Sequence, residues 1–180
     1  TTEIYTLSLH DALPISNIAT EFSNFAKLPA ARNQVFNLTA QLQKVINLFE
    51  THDQAKMVFQ PNGLEYVEVN ADREQLSRAI INLIKNGIQS IPENRKGKIV
   101  IRLTRREHMA VIEVSDNGAG IPVELRDKLF GPSFTTKSSG MGLGLAIVKN
   151  IVENFSGKIW FETGSEERRV GKECRSRWSP

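Results

Sequence analysis

Cysteine is nearly absent from this chain, with Cys174 in the C-terminal tail the single one among 180 residues. One thiol cannot close an intrachain disulfide, so a disulfide-stapled scaffold is excluded and a reducing compartment is favoured. The three histidines, His10, His52 and His108, lie far apart without metal-ligand spacing, so each reads as a surface or turn residue. No apolar run approaches the roughly 18 residues that a membrane helix needs. Nothing in this stretch therefore spans a bilayer, which leaves an inner-membrane anchor in a longer parent open. Neither sign of charge dominates: 23 Lys and Arg stand against 20 Asp and Glu, for a net +3. The basic residues are scattered among acids, which describes a solvated surface rather than a nucleic-acid stripe. A Gly-x-x-x-x-Gly-Lys-Ser/Thr loop is also lacking, so a P-loop ATPase is rejected.

What remains is an ordinary globular composition, 40% hydrophobic and 24% charged. Its length suits one domain or one domain with a small attachment. Both ends look foreign to it. Residues 1–16 join awkwardly to the segment after them, and the stretch from Arg168 to Pro180 has neither helical nor strand periodicity. They resemble translated adapter sequence, so 1–16 is read as a non-native flank and 164–180 as a mostly non-native tail.

Between these ends the periodicity changes several times. Ile18, Phe22 and Phe25 recur at helical spacing before Pro29 ends the segment, and residues 30–37 read as a linker. Leu38, Leu42, Val45 and Phe49 mark an amphipathic helix. Residues 56–60 and 65–70 read as short strands around the turn Pro61-Asn62-Gly63. Asp72 offers an N-cap for a helix whose buried stripe is Leu76, Ile80, Leu83 and Gly87. Residues 98–105 and 109–115 form a hairpin, a short helix follows Pro122, and a flexible stretch covers 131–141. A helix then runs from Gly142 to about Asn154, followed by a strand over 158–162. Helices before and between antiparallel strands imply an α/β two-layer sandwich, with helices on one face of a mixed, mostly antiparallel sheet.

Four short signatures punctuate this pattern in a fixed order. They are Asn82-Leu83-Ile84-Lys85-Asn86, Asp116-Asn117-Gly118-Ala119-Gly120, Phe130-Gly131-Pro132-Ser133-Phe134-Thr135-Thr136-Lys137, and Gly140-Met141-Gly142-Leu143-Gly144-Leu145. Each alone is weak, but together they describe one pocket for a magnesium nucleotide. Asn82 and Asn86 are four apart, so both amides leave one helix face. An amide oxygen is a hard, neutral donor of the kind magnesium accepts. The Asp116 carboxylate is acceptor-only, suited to the exocyclic amine of adenine and unsuited to the carbonyl of guanine. Gly118 and Gly120 permit backbone angles closed to other residues beside the base. Phe130 and Phe134 flank a Gly-Pro break, a placement that suits the hinges of a lid. Gly140, Gly142, Leu143 and Gly144 lead into a helix whose first N–H groups are unpaired and attract a triphosphate.

This set resembles the ATP-binding catalytic domain of two-component sensor histidine kinases, in the superfamily shared with gyrase, heat-shock and mismatch-repair ATPases. The resemblance covers roughly residues 17–163 and implies the Bergerat ATP-binding fold over residues 38–163. It implies ATP and Mg2+ as cofactors, Asn86 as the metal ligand, and Asn82 at the phosphates or the incoming nucleophile. Lys137 resembles a lid lysine reaching the terminal phosphate, with Thr135 and Thr136 as hydroxyl donors. Hydrolytic relatives carry a glutamate at position 82 to activate water; Asn82 cannot accept that proton, which favours transfer to a histidine imidazole. Gly87 stands where the family commonly has alanine, and closer approach of the nucleotide is the expected reason. Residues 17–29 resemble the end of a dimerisation-hairpin helix, most like the nitrogen-regulatory sensor kinases. The implied partners are such a hairpin, homodimeric in the intact parent, and a response regulator, in a cytoplasmic setting.

Two departures from the family matter. No acceptor-histidine motif is present, so the expectation is a protein-histidine kinase fragment that does not phosphorylate itself. The last strand of the sheet is expected to be missing, at a cost in stability. Two other readings share the pocket: a non-catalytic nucleotide-binding or docking module, and an anti-sigma-type serine kinase.

Overall fold

Residues 97–104 alternate strictly, and that alternation sets the sheet. Ile99, Ile101 and Leu103 are fully buried while Val100, Arg102 and Thr104 between them are half-buried. This is the signature of a strand with one face on a core. The computed structural model describes residues 30–131, 142–163 and 174–179. Its elements are β1 (Gln34–Asn37), α1 (Leu38–Asn47), β2 (Ala55–Gln60), β3 (Glu68–Ala71), α2 (Arg73–Ser90), β4 (Gly97–Arg106) and β5 (Met109–Asp116). A 3-10 turn (Val123–Lys128), α3 (Gly144–Asn154), β6 (Lys158–Thr163) and β7 (Cys174–Ser179) complete the order. Ile18, Phe22 and Phe25 lie outside the described residues.

Five strands form one sheet in the order β2-β4-β5-β7-β6. β2 runs parallel to β4, and the other neighbours are antiparallel. The mixed, mostly antiparallel sheet expected from the sequence is therefore present. Ile99, Ile101 and Leu103 of β4 join Ile112 and Val114 of β5 in one core with Leu42 and Ile46 of α1, the α2 stripe, and Ile147, Val148 and Ile151 of α3. Fully burying each such Leu, Ile or Val contributes on the order of 1.5–3 kcal/mol relative to exposure. The packing of helices onto this face, rather than helix propensity, holds the layers together.

Three expectations change. Residues 34–37, read as linker, form β1, which pairs antiparallel with β3. The segments flanking Pro61-Asn62-Gly63 are strands, the second running over Glu68–Ala71 rather than 65–70, and they lie in different sheets: β2 joins the large sheet and β3 joins β1. Loop contacts hold them apart, with Leu38 N donating to Val67 O at 2.7 Å and Thr39 Oγ1 to Leu64 O at 2.7 Å. The sheet also does not lack its strand. β7 lies between β5 and β6, with Trp178 opposite both Ile112 and Ile159. The facing edges of β5 and β6 carry backbone donors and acceptors, and an extended segment beside them completes both ladders. The expected loss of ladder bonds does not arise.

Asp72 caps α2 as its position suggests. Oδ1 accepts from the N–H groups of Glu74 and Gln75, both at 3.0 Å. Oδ2 accepts from Arg32 N at 2.8 Å, pinning the chain where it enters the domain. Burial alone would raise this carboxyl. The N–H groups of Gln75, Arg32 and Glu74, with the Arg32 charge, outweigh burial and hold it below its ordinary value. Because the folded-state value is the lower one, ionised Asp72 stabilises the fold above about pH 4 and that contribution fades as acid protonates it. Asp72→Asn keeps an acceptor for the helix but presents an amide nitrogen to Arg32. Urea melts should find it about 1 kcal/mol less stable at pH 7. The gap should narrow as acid protonates Asp72 in the parent, while the other acids titrate in both proteins and cancel.

Candidate functional site

Helix α2 presents two stripes. Leu76, Ile80, Leu83 and Gly87 are buried as expected, joined by Ala79, Ile84 and Ile88. Asn82 and Asn86 are half-buried beside them, and neither amide bonds to a described residue. The start of α3 sits against the second of these amides. A Cβ placed on Gly144 would lie 3.6 Å from Asn86 Nδ2 and 3.8 Å from its Oδ1. The N-cap of α3, Leu143, makes no side-chain hydrogen bond, and no acid occupies the first turn. Among the described residues no side chain caps its first N–H groups, so the helix start presents a positive dipole end next to Asn86. Gly142, just before it, has φ +66°, a conformation that side chains rarely adopt.

Asp116 ends β5 and begins a turn held from several sides. Its Oδ1 accepts from Gly118 N and from Ser90 Oγ, each at 2.9 Å. Ala119 N donates to Ser90 O at 2.9 Å. Arg95 Nη1 donates to the carbonyls of Asn117 at 2.6 Å and Gly118 at 3.2 Å. Asn117 accepts from Lys98 N and donates to Lys96 O. A turn braced this way keeps its carboxylate in one place.

The two glycines of this turn act differently. Gly120 has φ +77°, so its backbone needs glycine. Gly118 does not adopt a left-handed angle. A Cβ there would fall 1.8 Å from Ser90 Oγ, so glycine is required for close packing instead. Gly87 also departs from expectation: its missing side chain faces Ile99 Cδ1 and Asp116 Cβ, at 2.9 and 3.4 Å from an added Cβ. It makes room for the sheet.

Three signatures thus meet around the C-terminal half of α2: Asn82 and Asn86 on it, Asp116 with Gly118 and Gly120 at the end of β5, and Gly142, Leu143 and Gly144 at the start of α3. Thr135, Thr136, Lys137, Gly140 and Phe134 lie outside the described residues. Phe130, read as a lid hinge, packs on Phe161 of β6 with ring centroids 6.1 Å apart. That contact ties the start of the third signature to the sheet. Sequence reasoning passed over Ser90 and Arg95. Ser90 could have been found, since it continues the four-residue spacing of Asn82 and Asn86; Arg95 carries no such signal.

An acceptor-only carboxylate at one end and an uncapped helix start beside paired amides at the other suit a ligand with an amine-bearing base and an anionic tail. The fold and this polarity define a nucleotide-binding α/β sandwich. Residues 71–178 match the family described as histidine kinase-, DNA gyrase B-, and HSP90-like ATPase, and the chain belongs to that family. It is an ATP-binding domain of the sensor-histidine-kinase type. A putative NtrY-like sensor histidine kinase of Rickettsia conorii is 37% identical over 146 residues, taking in 79% of this chain. The match covers 24% of that protein, so the chain spans about a quarter of its length. The catalytic domain of histidine kinase ThkA, in a nucleotide-free form, superposes with a TM-score of 0.67 at 34% identity, covering 81% of this chain and 94% of that one. ThkA in complex with the response regulator TrrA gives 0.71 at 27% identity, covering 99% and 53%.

The two tight glycines separate by substitution. Gly87→Ala meets only the far end of the Ile99 side chain at short range and gains about 1 kcal/mol of helix propensity. Its thermal midpoint should stay within a few degrees of the parent. Gly118→Ala cannot be accommodated without moving the turn off Ser90. We expect it to lower affinity for a fluorescent ATP analogue by at least about tenfold, or roughly 1.4 kcal/mol.

Proposed function

We propose that this chain binds Mg-ATP and transfers the γ-phosphoryl group to a histidine on a dimerisation hairpin supplied in trans. The observation that carries the reading is the convergence of Asp116, Asn86 and the start of α3 on one end of α2. In this reading the Asp116 carboxylate accepts from the adenine amine, and the Gly118–Gly120 turn lets the backbone pass beside the base. The triphosphate lies at the N-terminus of α3, against Gly142, Leu143 and Gly144, with Gly140 before them. Lys137 reaches the terminal phosphate, with Thr135 and Thr136 as hydroxyl donors.

Magnesium fits the donors present: the half-buried Asn86 amide, without a partner among the described residues, lies beside the anion-attracting helix start. Asn86 would hold the ion through its Oδ1. The chemistry magnesium supplies when bound is charge neutralisation on the phosphate oxygens.

Phosphoryl transfer asks little covalent work of a protein, so positioning and charge stabilisation carry it. The bond from the γ-phosphorus to the bridging oxygen of ADP breaks, and a bond to an imidazole nitrogen forms. In this reading Asn82 orients the incoming imidazole, and it has no basic oxygen with which to activate water. The imidazole is already a competent nucleophile at neutral pH. His52 and His108, the histidines among the described residues, are in exposed segments outside the elements that build the site, which supports an acceptor in trans. The hairpin would then pass the phosphoryl group to a response-regulator aspartate. Among the described residues no helix is long and apolar enough to cross a membrane, and we place the domain in the cytoplasm.

Two measurements test this. Asp116→Asn should weaken a fluorescent ATP analogue by tenfold or more, an effect of about 1.4 kcal/mol; equal affinity would remove adenine recognition from Asp116. With labelled ATP, the chain should label an added hairpin that carries a histidine and not itself. Asn86→Ala should abolish that transfer together with its magnesium dependence. Stable self-labelling would reject transfer in trans, and binding without transfer would leave a nucleotide-binding module.

A further inference from the structure

Ser90 is the last residue of α2, and helix-end serines commonly bond back to their own helix. Its Oγ does lie 2.7 Å from Gly87 O. The same oxygen lies 2.9 Å from Asp116 Oδ1. A hydroxyl has one proton to give, and an ionised carboxylate is the stronger acceptor of the two. The Asp116 turn is also built onto this residue. Gly118 presses so closely on the hydroxyl that a Cβ would collide with it, and Ala119 N donates to the Ser90 carbonyl. Ser90 Oγ and Gly118 N converge on one carboxylate oxygen, Oδ1. Two donors on the same oxygen fix the rotation of the carboxylate plane, and with it the direction in which Oδ2 points.

We infer that Ser90 is a positioning residue for nucleobase selection: its hydroxyl orients Asp116 so that the carboxylate meets an exocyclic amine on the purine. The inference rests on the proposed adenine recognition by Asp116 and goes beyond it by naming the group that sets its geometry. Without the hydroxyl, Oδ1 loses one of these two donors, the side chain gains rotational freedom, and the directional bond to the amine weakens. Contacts to the ring faces and to the triphosphate are untouched. Selectivity is lost, and general affinity is kept.

Purine riboside triphosphate, which has the adenine ring without its amine, separates the two. Binding of ATP and of purine riboside triphosphate, each with magnesium, is measured for the parent chain and for Ser90→Ala. The parent should prefer ATP. Ser90→Ala should bind ATP about tenfold more weakly and purine riboside triphosphate within about twofold of the parent, which also shows that the variant is folded. An undiminished preference for ATP in Ser90→Ala would overturn the inference and leave adenine recognition standing. Equal losses for both nucleotides would reduce Ser90 to a structural role and overturn it as well. A parent without any preference for ATP would remove the recognition by Asp116, and the role of Ser90 with it.

Discussion

The whole arrangement depends on the rotational setting of α2. Its apolar stripe must face the sheet, because Leu76, Ile80 and Ile84 are almost completely buried there. Once that face is committed, the 3.6-residue period leaves no choice about where residues 82, 86 and 90 emerge. They line the side of the helix that meets the end of β5 and the start of α3. The cap at Asp72 starts this helix and also holds Arg32, so the entry of the chain and the setting of the site share one carboxylate.

The polar groups of the site are carried on rigid supports. Asn82 and Asn86 are in mid-helix, Asp116 closes a strand paired on both sides, and its turn is braced by Ser90, Arg95 and Asn117. Such supports limit side-chain wandering, which suits a reaction that depends on alignment more than on covalent help. The proposed division of labour follows from side-chain chemistry. A carboxylate recognises a donor, an amide oxygen suits a hard cation, and a helix start suits an anion.

Much of this was legible beforehand. Asp72 followed by a long 3.6-residue pattern announced α2 and its cap, and the alternation within 98–105 announced β4. Three of the four signatures meet around α2, and their chemistry was readable because it is carried by side chains at fixed spacing. Other features left no such trace. Gln34–Asn37 is too short to show a period, and becomes a strand only because Glu68–Ala71 lies beside it. Residues 174–179 lack apolar alternation, and their extended form is set by the two strand edges they join. Gly118 and Gly87 looked like places for a nucleotide to approach. Their neighbours proved to be Ser90 and Ile99, a matter of packing across distant segments.

Local order therefore decided what kind of elements form and which residue types face one another along each: caps, stripes, alternation and the spacing of reactive groups are written within a few turns of chain. The pairing of strands, the identity of the residue that fills each gap, and the second donor on the Asp116 carboxylate were decided by the folded molecule alone. Those contacts join positions such as 90 and 116, or 112 and 178, that are far apart along the chain, and no short-range periodicity specifies them.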